Sequence, residues 1–496
     1  MKDHFITRFG GGGETHLAPI ALTLLLIGIV LILVLPRRHT VVPFLLVALF
    51  LPNGVDVVFG TFHFYVLRIL LIFAWIRVLF GRRSSDEPFR MNPIDKSFLC
   101  YAVSAAVIFC LLWRQSEAFV NRLGFLYTAL GVYFFVRLVL EDRRDVVRVI
   151  KVLAFVCLLF SVYMVIEQRT GRNLFSVLGG IPAFTAVRDG RIRAQASFEN
   201  AISAGIFGAA LLPAFVGLWQ QEASDKLFAF IGVLAASLMT YASNSATPIM
   251  VYGAGLLGLL FWPLREQMKW VRRGIVVTLV GLQIVMKANV WALIERVRVG
   301  GGNGFHRYEL VDGFIHHCFD WCLIGVKSTA GWGFFTFDTA NQYVYVGANG
   351  GLLTFVFFVA ILVYCFKGLG KARNASEGDQ SEGWFLWCLG SFLFAHLVAF
   401  MGLSYFDQTQ TQLYVLFAII ASITASVWQS VPRSEPAEAG SGYVPQNPFT
   451  WPSQPVLRSS SNGSSHFSIR KKGRWDELCG ESRNIGYKDQ RRQSGF

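Results

Sequence analysis

The feature that most constrains this chain is a succession of apolar runs spread along nearly its whole length. A membrane-crossing helix needs roughly 17 to 25 predominantly apolar residues. Runs of that kind lie at 17–35, 62–80, 96–113, 119–140, 147–166, 201–219, 227–243, 247–264, 274–293, 342–366, 384–402 and 413–428, and a shorter one at 41–51 is too brief to cross untilted. The expected fold class is all-α, a polytopic transmembrane helical bundle of about twelve or thirteen spans over residues 17–428. With 54% hydrophobic and only 15% charged residues, an ordinary soluble globular fold is excluded.

Basic residues in short loops are retained in the cytoplasm, so their distribution predicts orientation. Arg37 and Arg38, then Arg82, Arg83 and Arg90, then Arg143, Arg144 and Arg148, then Arg265, Lys269, Arg272 and Arg273, then Lys367, Lys371 and Arg373 fall in alternate loops. If 41–51 crosses, the N-terminus lies outside; if it is re-entrant, the N-terminus moves inside. In both cases the two long loops, 167–200 and 294–341, face outward. The net charge of +14 then reads as topology and contact with the anionic lipid bilayer, not as nucleic-acid binding.

Residues 1–16, with Gly10 to Gly13, read as a flexible lead-in. The first apolar run lacks a small-residue cleavage site after it and reads as an anchor. From 429 to 496 the composition turns to Ser, Pro, Gly and mixed charge, with Arg470, Lys471 and Lys472 clustered, which predicts a disordered basic cytoplasmic tail. Cysteines are scattered, several inside apolar runs, and imply no disulfide framework.

Chemistry-bearing residues concentrate in the two outward loops. The first is rich in arginine on the side where positive charge is disfavoured. Arg188, Arg191 and Arg193 have the planar donors to clamp a diphosphate at the membrane interface; the alternative is that they pair with Asp189 and Glu199 or touch lipid headgroups. In the second loop, helical spacing puts Tyr308, Asp312, Ile315, His316 and Phe319 on one face, as in an interfacial sugar-binding cleft or a self-satisfied packed loop. Trp321, Asn341 and Tyr343, with Tyr308, are the candidates to supply the aromatic and amide groups of a glycan site. His316, His317, Cys318, Asp320 and Cys322 form too short a cluster to converge on a metal, and a Cys318–Cys322 disulfide requires a non-helical segment. Arg68, Arg77 and Arg137 stand inside apolar runs, each at a cost of roughly 2.5–3.5 kcal/mol near a span centre. Arg77 and Arg137 are expected to snorkel to the cytoplasmic interface, and Arg68 to join the phosphate site or anchor at the interface. His396 and the turn Ser404–Gln408 are candidates to border the same cavity.

Between 62 and 428 the chain resembles the O-antigen ligase and polysaccharide polymerase superfamily, bacterial membrane glycosyltransferases acting on undecaprenyl-diphosphate-linked glycans. The resemblance rests on 167–175, 188–218, the turn Ser243-Asn244-Ser245-Ala246-Thr247-Pro248, and 306–353 with Asp338-Thr339-Ala340-Asn341-Gln342-Tyr343 and Gly350-Gly351-Leu352. It implies an active site on the outer face of the bacterial inner membrane, arginines holding the donor diphosphate, a glycan acceptor, and transfer with neither metal nor cofactor. Arg191, Arg193 and Arg307 match the family's arginines. Ala340 stands where the ligase branch commonly has His, which favours a polymerase-like role in exopolysaccharide assembly. The general base stays open among Glu199, His306, Glu309 and Asp312. Competing readings are a lipid-linked-glycan flippase or transporter, and a non-catalytic scaffold working with other polysaccharide-assembly proteins.

Overall fold

The computed structural model describes residues 17–59, 62–81, 89–296, 304–334 and 336–429. The N-terminal lead-in and the basic tail beyond 429 lie outside them, as do Arg82 and Arg83. The fold is helical, and the chain is a multi-pass membrane protein. In chain order the helices are α1 (Pro19–Val34), α2 (Val41–Phe50), α3 (Val66–Phe80), α4 (Pro93–Trp113), α5 (Ser116–Val139), α6 (Arg143–Thr170), α7 (Ala201–Gly217), α8 (Asp225–Ala242) and α9 (Ala246–Leu260). They continue as α10 (Met268–Val285), α11 (Leu293–Arg296), α12 (Gly304–His316), α13 (Cys318–Trp321), α14 (Gln342–Ala375), α15 (Gln380–Ala399), α16 (Gln408–Ile423) and α17 (Ala425–Gln429). Two antiparallel hairpins interrupt them: β1 (Asp56–Phe59) with β2 (Phe62–Tyr65), and β3 (Val187–Arg188) with β4 (Arg191–Ile192).

Seven of the described helices have the length and apolar composition to cross a bilayer: α4, α5, α6, α7 with its 3-10 extension, α8, α14 and α15. The pair α9 and α10, bent by 73°, makes an eighth if counted as one span. Seven or eight of the expected twelve or thirteen spans have this length, and other apolar runs are realised as shorter helices. Helices α1, α3 and α16 have 16, 15 and 16 residues, and α2 has 10. Chain breaks account for this: α1 ends before Pro36, α2 before Pro52, and α16 begins only after the Asp407 cap. Helix α16 is short for its setting too. All its residues except Gln410 are buried, and it packs against α4, α5, α7, α14 and α15 as the axis of the bundle.

One end of the bundle gathers helix termini tied by buried polar pairs. Asn92 and Asp95 form a reciprocal capping box at the start of α4, and the Asn92 amide donates to the Ala421 carbonyl of α16 at 2.9 Å. Arg137 is buried here, so the expected snorkelling is corrected: its guanidinium pairs with Asp95 at 3.4 Å, and Tyr133 donates to the same carboxylate at 2.6 Å. An ion pair inside the bundle replaces hydration of both groups. Arg77 and Arg37 donate to the terminal carbonyls Leu35 and Leu138, satisfying helix ends that have no partner of their own. Arg143 with Glu382 and Lys151 with Asp225 add further ion pairs.

Helix α2 leaves this end at Thr40 and arrives among the opposite loops, where Ser197 donates to the Leu49 carbonyl and Gln408 lies against Leu51. The ten-residue helix α2 thus leads from the Arg37 end toward the loop that carries Ser197. At this opposite end α14 is broken at Gly351, whose φ of 64° is left-handed. The Leu352 amide donates to the Cys322 carbonyl at 2.8 Å and the Val326 amide to Ala348 at 2.7 Å, so the loop after α13 is stitched into the break.

Candidate functional site

A cavity of about 530 Å³ opens at the end of the bundle away from the buried ion pairs. Its walls carry Arg68 from the first turn of α3, Arg122 from α5, Glu199 just before α7, and Asp407 capping α16, with Tyr65, Tyr101, Tyr345, Tyr405 and Tyr414 around them. Two cations, two carboxylates and five phenols line this one open cavity.

The position of Glu199 is set by a buried carboxylate elsewhere in the loop. Glu167, at the last turn of α6, accepts Thr185 Oγ1 at 2.9 Å, the Gln195 amide at 3.1 Å and the Ala196 amide at 2.9 Å. Ala196 takes a left-handed φ of 50°, and its carbonyl receives the Asn173 amide at 2.8 Å. Ser197 is then fixed by Leu49 and by Gln408, which donates to its carbonyl at 3.0 Å. Asn200 caps α7 through the Ser203 amide at 2.9 Å. Glu199 is thereby held between two anchored neighbours, with its side chain open to the cavity.

The carboxylates are perturbed together. Burial pushes the Glu199 carboxyl above its ordinary range, and the nearby Asp407 charge adds to the shift. Asp407 is itself sealed from solvent and pushed up by burial. Hydrogen bonds from the Thr409 amide and hydroxyl, 2.9 and 2.7 Å to Oδ1, oppose that shift. Behind it, Tyr405 lines the cavity and its hydroxyl meets His396 Nδ1 at 2.7 Å.

The two cations are held by packing. The Arg68 side chain crosses to α5 over Gly124, where a Cβ would stand 2.4 Å from its Nη2, and it lies 4.8 Å from the Tyr65 ring centroid. Arg122 sits 3.5 Å from the Phe109 ring centroid and 5.4 Å from that of Phe125. Arg68 Nε also donates to Thr128 Oγ1 at 3.4 Å, and a guanidinium packed on aromatic rings loses some of its hydration.

Of the residues singled out from sequence, Arg68 and Glu199 reach this cavity together with the Tyr405–Asp407 turn. The others do not line it. Arg188 and Arg191 pair in the β3–β4 hairpin with exposed side chains, Arg188 being 3.9 Å from Asp189. Arg193 and Arg307 flank the turn between α8 and α9: Asn244 donates to the Ile192 carbonyl, and Arg307 donates to Thr247 Oγ1 at 2.8 Å. Burial lowers the pKa of both guanidiniums from the usual arginine range, and Arg188 adds to the shift of Arg193.

The second loop does form the expected helix, α12. On it Asp312 receives Trp291 Nε1 at 2.8 Å and pairs with His316 and Tyr308, while Glu309 accepts the Phe334 amide at 2.7 Å. His306 stands in the first turn of this helix. Trp321 is stacked on Phe314 at 4.0 Å and donates to its carbonyl. Asn341 is buried as the cap of α14, and Tyr343 donates to the Leu397 carbonyl at 3.2 Å. Cys318 and Cys322 are successive turns of one helical segment and remain free thiols.

Arg122 and the phenols Tyr101, Tyr345 and Tyr414 escaped the sequence reading. The signal for Arg122 was the polar pair Asn121-Arg122 inside an apolar run; the phenols had none, since a tyrosine in such a run looks like core. No protein-family model matches this chain, and no curated protein does.

Proposed function

We propose that the chain is a membrane glycosyltransferase of polymerase or ligase type, which transfers a lipid-diphosphate-linked glycan at the outer face of a bacterial inner membrane with its basic loops and tail in the cytoplasm. The observation that carries this reading is one cavity holding Arg68 and Arg122 with Glu199 and Asp407. Fixed cations in a low-dielectric site stabilise the negative charge that develops on a departing diphosphate. A carboxylate with a raised pKa suits proton abstraction near neutral pH. In the step proposed, the acceptor hydroxyl oxygen bonds the anomeric carbon and the bond from that carbon to the diphosphate oxygen breaks. Glu199 takes the hydroxyl proton, and the lipid diphosphate departs on the arginines. The hairpin arginines Arg188 and Arg191, with Arg193 and Arg307, gather the anionic donor at the same end of the bundle.

A transporter is the second reading, favoured by the break of α14 at Gly351, since interrupted helices beside a polar cavity also build transport sites. The test is the polysaccharide profile of a deletion strain carrying wild type, Arg68→Ala, Arg122→Ala, Glu199→Gln or Arg307→Ala at matched membrane levels. Loss of long polymer with lipid-linked single repeats accumulating on the outer face supports transfer. Accumulation on the cytoplasmic face supports transport. Full-length polymer from all four variants overturns the cavity as the active site.

A further inference from the structure

The cavity wall built by α4, α14 and α16 differs chemically from the charged groups beside it. It presents Tyr101, Tyr345 and Tyr414, the amides Asn349 and Gln410, and Thr411, with no ionisable acid or base among them other than the phenols. The three phenols come from three different helices and lie within electrostatic reach of one another, and Arg122 is within reach of Tyr101 and Tyr414. Tyr101 and Tyr414 are 6% and 3% exposed. Hydroxyls brought into the apolar interior of a bundle are costly unless they find partners. The break at Gly351 shapes this wall, because Asn349 and Gly350, the last residues before it, line the cavity. The Asn349 amide nitrogen donates to the Tyr345 carbonyl at 3.0 Å, which leaves its side-chain oxygen as an acceptor.

Phenols and carboxamides offer donors and acceptors in equal measure, and phenol rings offer flat apolar faces. That is the pattern of a pyranose ring, with hydroxyls at its rim and C–H groups on its faces. An acyl chain would offer these hydroxyls and amides no hydrogen-bond partner, and a bare cation would find no carboxylate on this wall. We propose that this wall is a saccharide subsite that seats a neutral sugar ring of the glycan beside Glu199 and Asp407; the proposal rests on the transfer reading given above.

The test uses the full chain in lipid nanodiscs and calorimetric titration. The probe is the mixture of neutral oligosaccharides released by partial acid hydrolysis of the surface polysaccharide of the strain that encodes the chain. Binding to wild type is expected, with affinity weakened by about tenfold or more in Tyr414→Phe and in Gln410→Leu, since each leaves a sugar hydroxyl unpaired. Gly253→Ala, at a position that does not line the cavity, is expected to keep the wild-type affinity. Tyr345→Phe serves as a further variant should either of the first two fail to fold, as judged by thermal unfolding. Equal binding by wild type and the wall variants, or no binding to wild type, overturns the subsite. Lipid-linked repeats accumulating in the Arg68→Ala strain report on the transfer reading independently, so either can fail while the other stands.

Discussion

Glu167 and Ala196 are 29 residues apart in the chain and meet at 2.9 Å, the carboxylate of one accepting the backbone amide of the other. Through this bond, and a parallel one to Gln195, the end of α6 dictates where the segment carrying Glu199 runs.

Glu167→Gln replaces a charged acceptor of three hydrogen bonds with a neutral amide. A loss of about 1–3 kcal/mol is expected, the range for a buried charge-assisted bond left poorly satisfied. Thermal unfolding in detergent measures it, and limited proteolysis should cut sooner within 171–200 while the helices stay intact. Equal melting and equal cleavage would show that Glu167 does not fasten this loop.

The carboxylate pair sets a pH dependence with opposite signs for activity and stability. Burial raises both carboxyls, and each Glu199 charge is further opposed by Asp407. Transfer that needs ionised Glu199 is expected to rise with pH along an acid limb lying above that of an ordinary carboxylate. Asp407→Asn removes the opposing charge and should move that limb to lower pH. For stability, the folded state holds these protons more tightly than the unfolded chain. Their contribution is fully present below the unfolded pKa and is lost as pH rises through the raised folded value. Melting temperature against pH should fall less steeply across that window in Asp407→Asn than in wild type.

Asp95 and Arg137 test whether the buried ion pair depends on both members. Arg137→Leu leaves the Asp95 carboxylate buried with only Tyr133 and the helix cap as partners. A destabilisation of about 3–5 kcal/mol is expected. The double variant Asp95→Asn with Arg137→Leu should recover much of it. Additive losses in the double variant would mean that the two groups act separately.

Gly351 and Gly253 form a paired test of the helix break. At Gly351 a Cβ would stand 2.7 Å from the Leu323 carbonyl oxygen at a φ of 64°, whereas at Gly253 it meets nothing within 4 Å. Gly351→Ala is expected to cost at least about 1–2 kcal/mol from the left-handed backbone alone, and to loosen the loop after α13. Gly253→Ala should be neutral or slightly stabilising, as helix propensity favours alanine. The two melting temperatures, side by side, check the contrast.

The amino-acid sequence by itself determined that the chain is helical and multi-pass, because long apolar runs have only that way to satisfy their backbone in lipid. It also marked Arg68 and Glu199, since a charge inside or beside an apolar run stands out against its neighbours. Hydropathy could not tell a lipid-facing helix from one such as α16, which is enclosed by protein along nearly its whole length. Nor could it bring Arg122, Tyr101, Tyr345 and Tyr414 together, as they lie on four different helices. Their convergence depends on which helix faces pack. That choice is made by shape and by polar ties such as Asn92 to Ala421 and Gln408 to Ser197, which no local pattern of residues records.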